Sequence, residues 1–274
     1  MKFRFTIILA ILLLATSAGS ALAQGTVMNF TVDGVKREAL VFAPAPTTSK
    51  IKHPLVFAWH GHGGNMQAAA QGMHLQTLWP DAIIVYPQGL NTPSHVDPQG
   101  NKPGWEVEVN QAAPVGNRDL KFFDAMLSTL HQKYAVDDER IYSTGFSNGA
   151  VFSYLLWAER SNVIAAIGEV AGRLWDTEHL TQPRAVLAIA GQADTTDPFA
   201  LQQQTIETAR QADNATGQGQ PCPLPNGAAT GTVCARYPST TQTPVKTVIH
   251  PGAHVYPPWA PQEIVDFLKL HKRP

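Results

Sequence analysis

Charge is scarce in this sequence: its 274 residues carry 20 basic and 21 acidic side chains, for a net charge of −1. No basic stripe or run of like charge breaks that balance, so nothing points to nucleic acid or an anionic membrane as a partner. Cysteine is scarcer still. Cys222 and Cys234 are the only two, and no Cys-x-x-Cys spacing or neighbouring histidine pair turns them into a zinc site. Repeats, low-complexity tails and Pro/Ser-rich linkers are also missing, which argues for one folded unit. The longest apolar run, Ile7 to Leu14, falls well short of the roughly 20 residues a membrane-spanning helix needs.

That short run has a different meaning. Lys2 and Arg4 precede it and Ala21-Leu22-Ala23 follows it, which is the layout of a secretory leader with cleavage before Gln24. Residues 1–23 are therefore read as a signal peptide and residues 24–274 as a single catalytic domain. The expected location is outside the cytoplasm, extracellular or periplasmic. Export puts Cys222 and Cys234 in an oxidising compartment, and the intervening Pro223-Leu224-Pro225-Asn226-Gly227 is turn-forming. A disulfide closing this loop is expected, with two buried thiols as the alternative.

Strand-like and helix-like runs alternate along the chain. Strands are expected at Met28–Val32, Arg37–Phe42, Leu55–Trp59, Ile83–Tyr86, Arg140–Ser143, Ala165–Val170, Ala185–Ala190 and Val245–His250. Helices are expected at Asn65–Met73, Asp119–Tyr134, Asn148–Arg160, Phe199–Ala212 and Gln262–Lys272. The middle strands are almost uninterrupted apolar runs, as strands buried on both faces are. The pattern predicts an α/β fold with a mostly parallel, doubly wound sheet and helices on both faces. Residues 87–115 and 214–243 interrupt it with long irregular stretches, a length seen mainly in functional loops.

The most informative segment is Tyr142-Ser143-Thr144-Gly145-Phe146-Ser147-Asn148-Gly149-Ala150. A strand runs into Gly-x-Ser-x-Gly and then a helix, the arrangement that holds a serine nucleophile on a sharp bend. Serine needs a base, and the base an orienting carboxylate. In a doubly wound sheet these sit on loops after the carboxyl ends of strands. Asp194 follows the 185–190 strand and His254 follows the 245–250 strand, giving the chain order Ser147, Asp194, His254 of an α/β-hydrolase. Asp197 and His250 compete; a turn or cap accounts for the first and a core histidine for the second. The glycine-rich turn His60-Gly61-His62-Gly63-Gly64-Asn65 ends another strand. The main-chain N–H groups of His62 and Asn148 are the expected oxyanion donors. His60 and His62 have no third ligand nearby, so no metal and no cofactor are expected.

These segments resemble the polyhydroxybutyrate depolymerase and feruloyl esterase group of secreted α/β-hydrolases. Its His-Gly-x-Gly-Gly-Asn turn is matched by His60 to Asn65, and its Tyr-Pro-x-Gly strand end by Tyr86-Pro87-Gln88-Gly89. Its nucleophile turn resembles Gly145 to Gly149, its acid loop Ala190 to Phe199, and its histidine loop Gly252 to Pro257. The resemblance implies a serine esterase acting through an acyl-enzyme on feruloyl-type esters of plant polysaccharide or on short hydroxyalkanoate esters. The substrate is thus a small or polymer-linked ester. Departures fall at Ala190, where the group has histidine, and at Tyr256, where it has tryptophan, with Trp259 following. Trp105, Trp175, Tyr256 and Trp259 are candidate substrate-stacking aromatics, burial in the core being the alternative for each. A peptidase or acyltransferase, or an inactive binding protein of the same fold, are the rival functions.

Overall fold

The central strands form where apolar side chains fall on both faces of an extended chain, and the marginal ones bury a single face or less. A computed structural model describes residues 25–44, 51–111, 116–175, 180 and 182–274; the expected leader, residues 1–23, lies outside them. In chain order the strands are β1 (Thr26–Val32), β2 (Val35–Phe42), β3 (His53–Trp59), β4 (Ile83–Pro87), β5 (Leu90–Asn91), β6 (Pro103–Gly104), β7 (Val136–Phe146), β8 (Ala166–Val170), β9 (Ala185–Gly191), β10 (Gln220–Pro221), β11 (Val233–Tyr237) and β12 (Val245–His250). The helices are α1 (Met66–Met73), α2 (Leu75–Leu78), α3 (Arg118–Lys133), α4 (Asn148–Glu159), α5 (Phe199–Ala212) and α6 (Ala260–Lys269).

Ten strands make one sheet in the order β1-β2-β4-β3-β7-β8-β9-β12-β11-β10, and β5 and β6 pair separately. The six strands from β4 to β12 run parallel, with antiparallel strands at both margins. The period-2 alternation of a strand sorts its side chains into two cores. On β3, Leu55, Phe57 and Trp59 enter one core with α3, α4 and α5 residues, while Val56 and Ala58 enter the other with α1 and α6. β9 divides the same way, Val186 and Ala188 against Leu187 and Ile189. Each fully buried aliphatic or aromatic side chain contributes about 1.5–3 kcal/mol. Helices therefore cover both faces of the sheet.

The irregular stretch 214–243 contains the expected disulfide and a strand that its sequence concealed. Cys222 and Cys234 form a disulfide, and β11 adds itself antiparallel to β12 through five paired residues, Val233 to Tyr237. A five-residue strand inside a turn-rich segment has too little alternation to stand out. At β3 the chain turns from β4 on one side to β7 on the other, and this switch point opens the crevice in which such sheets bind ligands.

Candidate active site

Ser147 occupies a backbone conformation that an L-residue adopts only under compulsion, with φ 55° and ψ −123°. Such a residue costs on the order of 1–3 kcal/mol. The compulsion comes from its glycines. A Cβ on Gly145 would lie 2.3 Å from the Gly149 carbonyl, and one on Gly149 would lie 2.4 Å from the Trp59 carbonyl oxygen. β7 and α4 can meet so closely, and tuck against β3, only without those carbons. The Ser147 N–H donates to Val170 O at 2.9 Å, which ties the bend to β8. Its carbonyl accepts from Ala150 and Val151 and so starts α4, whose N-terminal dipole favours negative charge at the bend.

Asp194 and His254 reach Ser147 because β9 and β12 are neighbours and their pairing continues past the sheet. The Gln192 N–H donates to His250 O at 2.8 Å and the Ala193 N–H to Gly252 O at 3.0 Å. His254 Nδ1–H then donates to Asp194 Oδ2 at 2.7 Å, and the Ser147 hydroxyl donates to His254 Nε2 at 2.8 Å. The Asp194 carboxylate is fixed by further donors: the Thr196 and Asp197 N–H groups on Oδ1 and the Gln202 side-chain amide on Oδ2. Gln202 was not singled out from sequence, although it stands eight residues after Asp194 and so projects from the second turn of α5. The rivals make other contacts. His250 accepts from the Gly252 N–H and meets Trp259 edge to face, and Asp197 pairs with Arg173.

The turn after β3 is pinned from three directions. Asn65 caps α1 by accepting from the Ala68 N–H at 2.8 Å, the physical use of asparagine at that point. The buried His60 accepts from the Gly89 N–H through Nε2, while its Nδ1–H donates to Gly61 O. Burial pushes its pKa down to about 4, so the neutral ring serves as a bracket. His62 Nε2 meets Asp97 at 3.1 Å, a partner hidden in an irregular loop that carries no periodic signal. Among the described residues no acceptor faces the main-chain N–H of His62 or Asn148. Both therefore remain available beside Ser147.

A cavity of about 370 Å³ opens over Ser147, lined by His62, Asn148, Val151 and Trp175 and by Asp197 among others. Three of the aromatic expectations need correction or relocation. Trp105 does not reach the cavity: it is fully buried against Trp59 and Phe152 and donates its indole N–H to His60 O. Its main-chain N–H and C=O are both held by the Asn148 side-chain amide. It is thus a keystone between the bend and the oxyanion turn. Tyr256 packs against Phe146 and lines a separate apolar cavity of about 200 Å³ with Gly61 and Met73. Trp259 lines a third hollow between the disulfide loop and α6. The seating of α6 against the sheet carries Trp259 away from Ser147, a separation that sequence proximity to His254 could not reveal. Trp175 does line the Ser147 cavity.

A parallel sheet with Ser147, Asp194 and His254 at the carboxyl ends of β7, β9 and β12 matches a known architecture. The chain superimposes on an acetyl xylan esterase from Aspergillus awamori with a TM-score of 0.67 at 15% identity, covering 89% of this chain and 99% of that one. The chain has the α/β-hydrolase fold. No protein-family model matches its sequence. In sequence the chain is similar to feruloyl esterase D of Neurospora crassa, 29% identical over 167 residues that span 56% of this chain and 51% of that protein. It is likewise 28% identical to feruloyl esterase C of Emericella nidulans over 171 residues, 60% of this chain and 57% of that one. The chain thus spans little more than half the length of these relatives.

Beneath the bend the fold holds one more unusual group. Glu169 on β8 pairs across the sheet with Gly145 and is almost completely buried. It accepts from the Tyr154 hydroxyl at 3.0 Å and from the Gly172 N–H at 3.2 Å. Burial raises its pKa to about 8, so it is protonated at neutral pH. Here it braces the chain that accepts the Ser147 N–H.

Proposed function

We propose that this chain is a secreted serine esterase with the single catalytic domain 24–274. The observation that carries the reading is the unbroken hydrogen-bonded run from the Ser147 hydroxyl through His254 to Asp194, set on a strained bend under a cavity. His254 takes the Ser147 proton as Oγ attacks an ester carbonyl; Asp194 keeps the imidazole in the required tautomer and stabilises the cation that forms. The His62 and Asn148 N–H groups receive the developing oxyanion, an interaction worth about 3–4 kcal/mol per donor when removed. Protonated His254 then delivers its proton to the departing alcohol. A water deprotonated by His254 attacks the acyl-enzyme, and the acid is released.

The substrate follows from the cavity and the relatives. Its walls are largely apolar with one aromatic, Trp175, and its volume suits an arylpropenoyl or short alkanoyl group rather than a long fatty chain. The feruloyl esterases it resembles support a hydroxycinnamoyl ester of a sugar; a short hydroxyalkanoate ester fits the same space. The Cys222–Cys234 disulfide supports an oxidising destination.

Hydrolysis of para-nitrophenyl acetate, para-nitrophenyl butyrate and methyl ferulate by the mature protein and by Ser147→Ala tests this. Turnover of at least one ester is expected, falling roughly 10⁴–10⁶-fold in the variant. Turnover that survives the substitution would remove Ser147 from the mechanism.

A further inference from the structure

Asp197 differs from every other carboxylate near the cavity. It is only 2% exposed yet lines the wall, whereas Glu108, the other lining carboxylate, is half-buried. Its main chain is locked into the acid loop: the N–H donates to Asp194 Oδ1 at 3.0 Å and the carbonyl accepts from Gln202 Nε2 at 2.6 Å. The carboxylate is therefore held in place, but it is poorly satisfied. Oδ1 accepts from Arg173 Nε at a long 3.3 Å, and among the described residues no donor faces Oδ2. Asp194, three residues earlier, has four donors. Arg173 cannot easily move closer, because its guanidinium lies 3.8 Å over the Trp175 ring. Oδ2 is not sealed off and so faces the cavity, whose wall sets apolar Val96, Val107, Val151 and Trp175 beside polar His95 and Thr196. An oxygen of a mostly buried carboxylate left without a donor there gains from one supplied by a ligand.

We propose that Asp197 is a specificity-determining residue, whose carboxylate accepts a hydrogen bond from a hydroxyl carried by the acyl group of the ester. The proposal rests on the esterase reading and names the feature of the substrate that the cavity selects. A hydroxyl donor completes the coordination of Oδ2 at a carboxylate whose main chain is already fixed. An acyl group bearing only hydrogen, methyl or methoxy there displaces water and leaves the oxygen bare. Sites built to bond a substrate hydroxyl reject analogues lacking it far more strongly than apolar pockets reject a change in size. An acyl group bearing a carboxylate is disfavoured by like charge. Both a phenolic and an aliphatic hydroxyl have the required chemistry.

The test measures kcat/KM for methyl 4-hydroxycinnamate against methyl cinnamate and methyl 4-methoxycinnamate, and for methyl 3-hydroxybutyrate against methyl butyrate. The mature protein, Asp197→Ala and Arg173→Met are compared. The mature protein should favour the hydroxylated ester in one series by about tenfold or more, and the series in which this occurs identifies the acyl class. Asp197→Ala should bring that ratio near one. Arg173→Met, which keeps the carboxylate but removes its ion pair, should retain the preference. Retention in Asp197→Ala, or equal loss in both variants, would overturn the role, the second because it would place Asp197 in the ion pair alone. The mature protein's own ratios decide the case even where Asp197→Ala does not fold. Hydrolysis of these esters without preference overturns Asp197's role and leaves the esterase standing. Absence of hydrolysis of every ester overturns the esterase reading and the role with it.

Discussion

Replacing Glu169 by Gln should change how the stability of this protein depends on pH. The ordinary glutamate value is 4.5 and burial raises it to about 8. Between these values the folded chain holds a proton that the unfolded chain has released. Stability from this group is therefore complete below about pH 4.5 and is lost as pH rises through 8. At 1.36 kcal/mol per unit, the loss amounts to about 3 kcal/mol by pH 7 and about 4–5 kcal/mol by pH 8. Gln is neutral throughout and fits the same contacts: its carbonyl can accept from Gly172 N–H, and its amide can donate to the Tyr154 hydroxyl, which now acts as acceptor. Guanidinium unfolding of both proteins at pH 4.5, 6, 7 and 8 gives the difference directly, because all other titrating groups cancel. The variant should match the parent at pH 4.5 to within a small offset and exceed it by a few kcal/mol at pH 8. A difference that stays constant with pH would mean that Glu169 is ionised in the fold and that its burial has been misjudged.

Gly149→Ala drives a carbon to 2.4 Å from the Trp59 carbonyl, so β3 or α4 must shift. A destabilisation above about 4 kcal/mol is expected, read as a fall of roughly 10 °C or more in Tm. Asp194→Asn presents the wrong group to His254 Nδ1 and should cut kcat by about 10⁴ with little change in far-UV dichroism. A loss under tenfold would argue against Asp194 as the orienting acid. Trp105→Phe leaves the buried His60 carbonyl without its donor, at about 1–3 kcal/mol. Lower Tm together with lower kcat would identify Trp105 as the keystone drawn above, whereas an altered KM with intact Tm would return it to the substrate cleft.

Much of this was legible in the residues. The expected strands at 55–59, 83–86, 185–190 and 245–250 fall inside β3, β4, β9 and β12, because runs buried on both faces must be apolar throughout. Gly145 and Gly149 announced the bend, since nothing larger fits there. Other features left no local trace. β11 is five residues in a turn-rich loop and is held by its partner strand and the disulfide. Asp97 and Gln202 act on residues 35 and eight positions away, through contacts that no periodicity encodes. Asp197 read as a turn residue because its role depends on the cavity it faces.

The sequence by itself determined the parallel sheet, the positions of Ser147, Asp194 and His254 after their strands, and the glycine turn beside them. Hydrophobic period and steric need for glycine are properties of neighbouring residues. Only the tertiary structure decided which aromatics meet the cavity. Trp105, Trp175, Tyr256 and Trp259 are alike in sequence, each large and amphipathic. Packing buried the first against Trp59 and sent Tyr256 and Trp259 into other hollows, leaving Trp175 and Asp197 on the wall above Ser147. An aromatic side chain gains about as much free energy from a core as from a cleft, so its destination is set by the elements that close around it.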